Sequence, residues 1–145
     1  MSKASTESQM ISVGFARVSE VLFAVDQYPM WTDGISEVSE ITRNDKGQVT
    51  QATLMIEAGV MKDEITLAYD WAGAPLRLNF SLIKGKALKR MDGAYILESV
   101  SAEVTKVTYE LSVGISGFIP QVMIASQERA IITRALLQLK EFIEK

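Results

Sequence analysis

Between Ile35 and Val113 the chain alternates apolar and polar residues in short runs, and turn signals break those runs at regular intervals. The signals are Asn44-Asp45-Lys46-Gly47, Gly59, Ala72-Gly73-Ala74-Pro75, Gly85 and the stretch from Ser99 to Glu103. Strands joined by such short links must pair as antiparallel hairpins, because a parallel crossover needs about a dozen residues or more. Placing Gly59-Val60 at the tip of a two-residue loop sets Glu57 opposite Lys62, Ile56 opposite Asp63, Leu54 opposite Ile65 and Ala52 opposite Leu67. Alternation then gathers Leu54, Ile56, Ile65, Leu67 and Tyr69 on one face. The same face continues through Leu76, Leu78, Phe80 and Leu82 to Tyr95 and Leu97, and ends with Val107, Tyr109, Leu111 and Val113. The opposite face is polar, with Thr66, Asp70, Arg77, Ser81, Glu98, Thr108, Glu110 and Ser112. One face meets water and the other needs a cover.

The cover is a helix from Ile119 to Glu144. Phe118, Val122, Ala125, Ile132, Leu136, Leu139 and Ile143 form its stripe at spacings of three and four. At about 1.5 Å per residue it is the only element long enough to span several strands. Ahead of the strands, a short strand is expected from Gln9 to Val13, after a loose tail over residues 1–8. Phe15, Val18, Val21, Leu22 and Val25 follow at helical spacing, and Pro29 closes that segment. The expected class is α+β: a curved antiparallel sheet around a long C-terminal helix, with short helices after the first strand.

Nothing in the 145 residues suggests a second unit, since repeats, low-complexity tracts and Pro/Gly/Ser linkers are all missing. Residues 9–145 are therefore read as one domain. A net charge of -3 gives no basic footprint for nucleic acid. With no cysteine there is no disulfide, thiolate metal site or sulfur nucleophile. With no histidine there is no imidazole base, and the commonest zinc ligand is missing. No phosphate-binding loop, dinucleotide fingerprint or metal motif occurs, so no cofactor and no metal is expected. Met1 to Ser8 lacks the apolar core of a secretory signal, and no apolar run approaches the roughly 20 residues of a membrane span. A cytoplasmic location without stable membrane insertion is the expectation.

Several local patterns together resemble the START-like (SRPBCC) superfamily, especially its bacterial polyketide cyclase/dehydrase and lipid-transport group. They are Tyr28-Pro29-Met30-Trp31, Ala58-Gly59-Val60-Met61-Lys62-Asp63 and Leu67-Ala68-Tyr69. Asp92-Gly93-Ala94-Tyr95-Ile96-Leu97-Glu98 and Val107-Thr108-Tyr109-Glu110-Leu111 complete them. The likeness runs from about Gln9 to Glu144. It departs where Gly14-Phe15-Ala16-Arg17 replaces the Ala-Pro usual before the first helix, and where Phe80 stands for a frequent Trp. The resemblance implies a helix-grip fold with a cavity between sheet and helix. It also implies a hydrophobic ligand such as a lipid, isoprenoid or polyketide-like compound, and no catalytic residue carries over with these motifs. Cyclase/dehydratase chemistry in the same cavity is the second reading, and a partner-binding module with a collapsed cavity the third.

A pocket of even 300 Å³, left empty, would cost about 7 kcal/mol at the rate measured for core cavities, so ligand, water or collapse must relieve it. The residues facing such a pocket are Leu67, Tyr69, Phe80, Tyr95, Tyr109 and Ile132, with Asp63 and Arg129 as its charged members. Asp63 falls on the apolar face, where it either orients a ligand hydroxyl, or titrates upward and acts as an acid or base, or else is a strand-end Asp that reaches solvent or caps a nearby turn. Tyr95 and Tyr109 lie almost opposite each other, as donors to a ligand carbonyl or to one another. Arg129 interrupts the helix stripe, and either pairs inward with Asp63 or snorkels to water. Trp31 reads as a packing anchor or a stacking platform. Met55, Met61, Met91 and Met123 either fill gaps or adapt to varied apolar shapes. Lys84, Lys86, Lys89 and Arg90 form a basic cluster, either a solvated hairpin edge or a contact for an anionic membrane surface.

Overall fold

The computed structural model describes residues 4–58, 61–115, 117 and 119–145. Seven strands run in chain order: β1 Ser5–Ile11, β2 Ile35–Arg43, β3 Val49–Ala58, β4 Met61–Asp70, β5 Arg77–Lys84, β6 Leu88–Ser101 and β7 Val104–Ile115. All pair antiparallel in one sheet of order β1-β7-β6-β5-β4-β3-β2. From β2 to β7, neighbours in sequence are neighbours in space, as short hairpin links require. β1 closes the far side by pairing with β7.

The register follows the alternation. Glu57 faces Lys62, Ile56 faces Asp63, Leu54 faces Ile65 and Ala52 faces Leu67, while Tyr95 faces Tyr109. The tip residues of that hairpin, Gly59 and Val60, lie outside the described residues. On the inner face Leu54, Ile65, Leu67, Leu78, Leu97, Val107, Leu111 and Val113 are buried. Leu82 is half-buried, and Leu76 is 60% exposed in the loop just before β5. On the outer face Thr66 and Ser112 are buried against expectation, and both are hydrogen-bonded. Thr66 shares a bond of 3.1 Å with Thr53, and Ser112 accepts from Arg90 at 2.6 Å. Partnered hydroxyls lose little on burial.

The chain enters the sheet earlier than its composition suggests. Ser5 to Ser8 pair with Leu111 to Thr108, so this part of the expected tail is strand. An edge strand is held by main-chain bonds that any side chain permits, and a run of polar residues facing water carries no alternation to read. After β1, α1 spans Phe15–Leu22 and a 3-10 helix spans Val25–Met30 with Pro29 inside it. The Tyr28 hydroxyl donates to the Leu22 carbonyl at 2.7 Å and clamps the two segments together.

The last helix, α2, spans Gln121–Ile143 and packs on β1 and β7. Ile132, Leu136, Leu139 and Ile143 are buried as the stripe demands. Its amino-terminal part differs: Val122 is 72% exposed, and Phe118 lies outside the described residues. The charged residue on the stripe is Glu128, fully buried, whereas Arg129 faces solvent. Both positions fit the three-and-four spacing between Ala125 and Ile132. Partners decide between them. The Ser5 hydroxyl and the Val113 backbone N–H each donate to the Glu128 carboxylate at 2.7 Å. One side chain thus ties α2 to both strands of the flank it covers. Glu128→Ala should cost about 3 kcal/mol in urea unfolding, by leaving a buried N–H unpaired. Glu128→Gln should cost clearly less, and Arg129→Ala should stay within about 0.5 kcal/mol.

Candidate functional site

Because α2 leans on β1 and β7, the concave face of the middle strands is left partly uncovered. A cavity of about 800 Å³ occupies the space. Its walls come from four places. Tyr28, Trp31, Thr32, Asp33, Gly34 and Ile35 follow from the 3-10 helix into β2. Leu54, Ile56, Glu57, Lys62, Ile65, Leu67 and Tyr69 come from β3 and β4. Phe80, Met91, Tyr95 and Tyr109 come from β5, β6 and β7, and Gln127, Ala130, Ile131, Arg134 and Ala135 from α2. The buried stripe of the helix, Ile132, Leu136, Leu139 and Ile143, points to the flank and not into this space.

An aromatic wall lines the buried end. Tyr95 and Tyr109 lie tilted against each other with centroids 4.5 Å apart, and Phe80 lies 6.1 Å from Tyr95 and 6.3 Å from Tyr109. Tyr69 is 6.2 Å from Phe80, Tyr28 is 6.3 Å from Tyr95, and Trp31 is 5.4 Å from Tyr28. Phe80 owes its seat to Gly93 on the facing strand. A Cβ there would stand 2.4 Å from Phe80 Cζ and 2.6 Å from the Glu110 carbonyl oxygen, so only glycine leaves room for the ring.

The hydroxyls of this wall are protonated donors at neutral pH. Burial pushes the Tyr28, Tyr69 and Tyr95 phenols far above their ordinary value. Burial also raises Tyr109, but a hydrogen bond from Tyr95 opposes it and leaves Tyr109 at about 12. Tyr28 is already committed to Leu22, and Tyr95 to Tyr109. Among the described residues, the Tyr69 hydroxyl has no hydrogen-bond partner, and the buried Trp31 indole N–H has none either.

Every charged residue of the lining is exposed and sits in a pair. Arg134 forks onto Asp33, with Nε 2.8 Å from Oδ1 and Nη2 on Oδ2. The Arg134 and Gln138 side chains hold the Asp33 carboxyl at about 2. Lys62 meets Glu57 at 3.3 Å. These pairs mark the mouth. The buried lining is apolar, aromatic or hydroxyl-bearing.

Of the residues read from the sequence, Leu67, Tyr69, Phe80, Tyr95 and Tyr109 line this cavity. Ile132, Arg129 and Asp63 do not. Ile132 is fully buried in the core under the flank, and Arg129 points to water on the other side of α2. Asp63 is buried on the inner face, yet its carboxylate is spoken for. It accepts from the backbone N–H groups of Glu64, Lys86, Ala87 and Leu88 at 2.8, 3.1, 3.0 and 3.0 Å. It caps the β5–β6 turn and pairs with no arginine. The basic cluster is divided: Lys84, Lys86 and Lys89 are exposed, while Arg90 bonds Ser112, the Val113 carbonyl and Asp92. Met91 lines the cavity and Met123 is 57% exposed. Trp31 and Tyr28 proved to be lining residues, and the mouth pair Asp33–Arg134 had no sequence signal because its members are 101 positions apart.

A curved antiparallel sheet that grips a C-terminal helix across an apolar cavity defines the helix-grip class. No protein-family model matches the chain, and no curated protein is significantly similar to it. Solved structures are similar at the level of the fold. A START superfamily protein from Mycobacterium smegmatis superposes with a TM-score of 0.92 at 14% identity, covering 99% of this chain and 98% of that one. The Zhui aromatase/cyclase from Streptomyces sp. R1128 gives 0.77 at 16% identity over 98% and 93%. The di-domain ARO/CYC BexL from the BE-7585A biosynthetic pathway gives 0.73 at 18% identity over 99% of this chain and 47% of that one. The fold of this protein is the START-like (SRPBCC) fold. No helix in it is long and apolar enough to cross a membrane, among the described residues.

For Asp63, burial alone would raise the carboxyl, but the N–H donors of Leu88, Lys86, Ala87 and Glu64 overcome it and lower the group below 3.8. A depressed folded value stabilises the protein above the unfolded value and loses that contribution as pH falls through the folded one. Asp63→Asn should therefore be destabilised relative to the native chain at pH 7. The gap should hold down to about pH 4 and narrow below it in denaturation series.

Proposed function

We propose that this protein binds an apolar or aromatic small molecule, such as a lipid, isoprenoid or polyketide-like compound, between sheet and helix. The observation that carries the reading is the cavity itself. At about 800 Å³ it falls within the roughly 300–1,000 Å³ of ordinary ligand sites, and its buried wall is made of Leu, Ile, Phe, Tyr and Trp side chains. Such a wall gains from excluding water, at about 25 cal/mol per Å² of apolar surface covered. The reading of a partner-binding module with a filled interior has no comparable support.

Cyclase or dehydratase chemistry is the rival, since the structurally similar Zhui protein is an aromatase/cyclase. Proton transfer needs a group that titrates near the working pH. Here the buried phenols are raised and protonated, and the lining carboxylates are paired at the mouth. Asp63, the one buried inner-face acid from the sequence reading, is held as an anion under a turn. Binding, with catalysis limited to positioning a reactive chain, suits these groups better than acid–base work.

Native mass spectrometry of freshly purified protein, and titration with the neutral fluorophore N-phenyl-1-naphthylamine, test the reading. Saturable binding of one probe per chain is expected. Ala135→Trp, which fills the helix side of the cavity, should weaken it by about tenfold or more, ~1.4 kcal/mol, with little change in melting temperature. Absence of saturable binding, together with no thermal shift across a hydrophobic panel, would overturn the proposal.

A further inference from the structure

We infer that the cavity selects an uncharged ligand bearing a hydrogen-bond acceptor, a carbonyl oxygen at its buried end, and that the hydroxyls of Tyr69 and Tyr109 receive it. The inference rests on the binding reading above and adds the chemistry and orientation of the guest. It begins from a count of donors. Tyr69 and Tyr109 flank Phe80 on the same wall, are 7% and 5% exposed, and both line the cavity. The Tyr95 and Tyr109 rings lie 4.5 Å apart, and the bond between their hydroxyls runs from Tyr95 to Tyr109, which leaves the Tyr109 proton available. Tyr69 gives its proton to nothing among the described residues. Trp31, in the same lining, holds an indole N–H with no acceptor, and an indole can only donate. The wall therefore offers protons from Tyr69, Tyr109 and Trp31 that meet no acceptor among the described residues, and of the three the indole has no oxygen with which to accept instead. Buried donors are nearly always paired in a folded protein, and here the missing partner must come from inside the cavity.

Charge decides the rest. A carboxylate at this depth would need a cation, and the cations of the lining, Lys62 and Arg134, stand exposed at the mouth with carboxylates of their own. Without a buried counter-charge an anion would lose its hydration uncompensated. A ketone or ester oxygen loses little hydration and gains the phenols. Its apolar body then lies along Leu67 and Phe80, and any polar tail leads outward to the mouth.

Three probes of nearly one shape separate these terms: 2-acetylnaphthalene, 2-ethylnaphthalene and 2-naphthoate. Titrated into the native protein, the ketone should bind about tenfold more tightly than the hydrocarbon, and the carboxylate most weakly. Tyr69→Phe removes a hydroxyl that bonds nothing among the described residues. It should erase most of the ketone's advantage over 2-ethylnaphthalene, and an unchanged melting temperature reports that the fold is intact. The infrared carbonyl stretch of bound 2-acetylnaphthalene should lie lower in the native protein than in Tyr69→Phe. Tyr109→Phe should act in the same direction. Equal binding of ketone and hydrocarbon, a carboxylate that matches the ketone, or a preference that survives both substitutions would overturn the inference and leave the binding site standing. Failure of all three probes to bind would remove the inference together with the proposed function.

Discussion

The carboxylate of Glu128 sets where the long helix lies, and the cavity depends on that position. It receives the Ser5 hydroxyl from β1 and the Val113 N–H from β7, so α2 is fixed to one flank of the sheet. A buried acceptor whose donors sit on two strands is intolerant of displacement, because moving it leaves polar groups unpaired. Sliding the helix toward the middle strands would strip both donors from the side chain. The apolar stripe Ile132, Leu136, Leu139 and Ile143 fills the flank, and Gln127, Ala130, Ile131, Arg134 and Ala135 are left to face the concavity.

The opposite wall is kept from collapsing by rings that brace one another. Phe80 sits among Tyr69, Tyr95 and Tyr109, and its position is set by a glycine across the strand pair. Tyr28 is anchored outside the cavity through its bond to Leu22, and from there supports Tyr95 and Trp31. Stiff side chains with few torsions hold a shape at small entropic cost, whereas a lining of long flexible chains would fold inward. Methionine adds little to this wall among the described residues. Met91 contributes to the lining, but Met123 is at the surface.

The register and the inner face were legible because both follow from a period of two and the length of one loop. Tyr95 meets Tyr109 for that reason alone. The site was legible only in part, because its remaining features join residues far apart in the chain. Alternation placed Asp63 inside, correctly, but its role is set by the turn at Lys86 to Leu88, which folds over it from more than twenty positions away. Helical spacing allowed either Glu128 or Arg129 inward, and the decision came from Ser5 and Val113. Ser5 itself gave no signal, since an edge strand of polar residues looks like a tail until its partner strand is known. In each case local pattern located the position and a distant partner assigned its chemistry.

Similarity to solved structures at 14 to 18% identity carries the shape of the chain and stops there. What this particular cavity can do is decided by its own side chains, and they are unusual in what they lack. There is no histidine anywhere in the sequence, and the charged groups of the lining are engaged with each other at the rim. The buried end is left with phenols whose protons burial makes hard to remove. A phenol that will not ionise makes a poor base and a durable hydrogen-bond donor. The same desolvation that weakens these residues as proton-transfer groups strengthens them as fixed dipoles for a neutral guest, because a hydrogen bond in a dry pocket competes with little water.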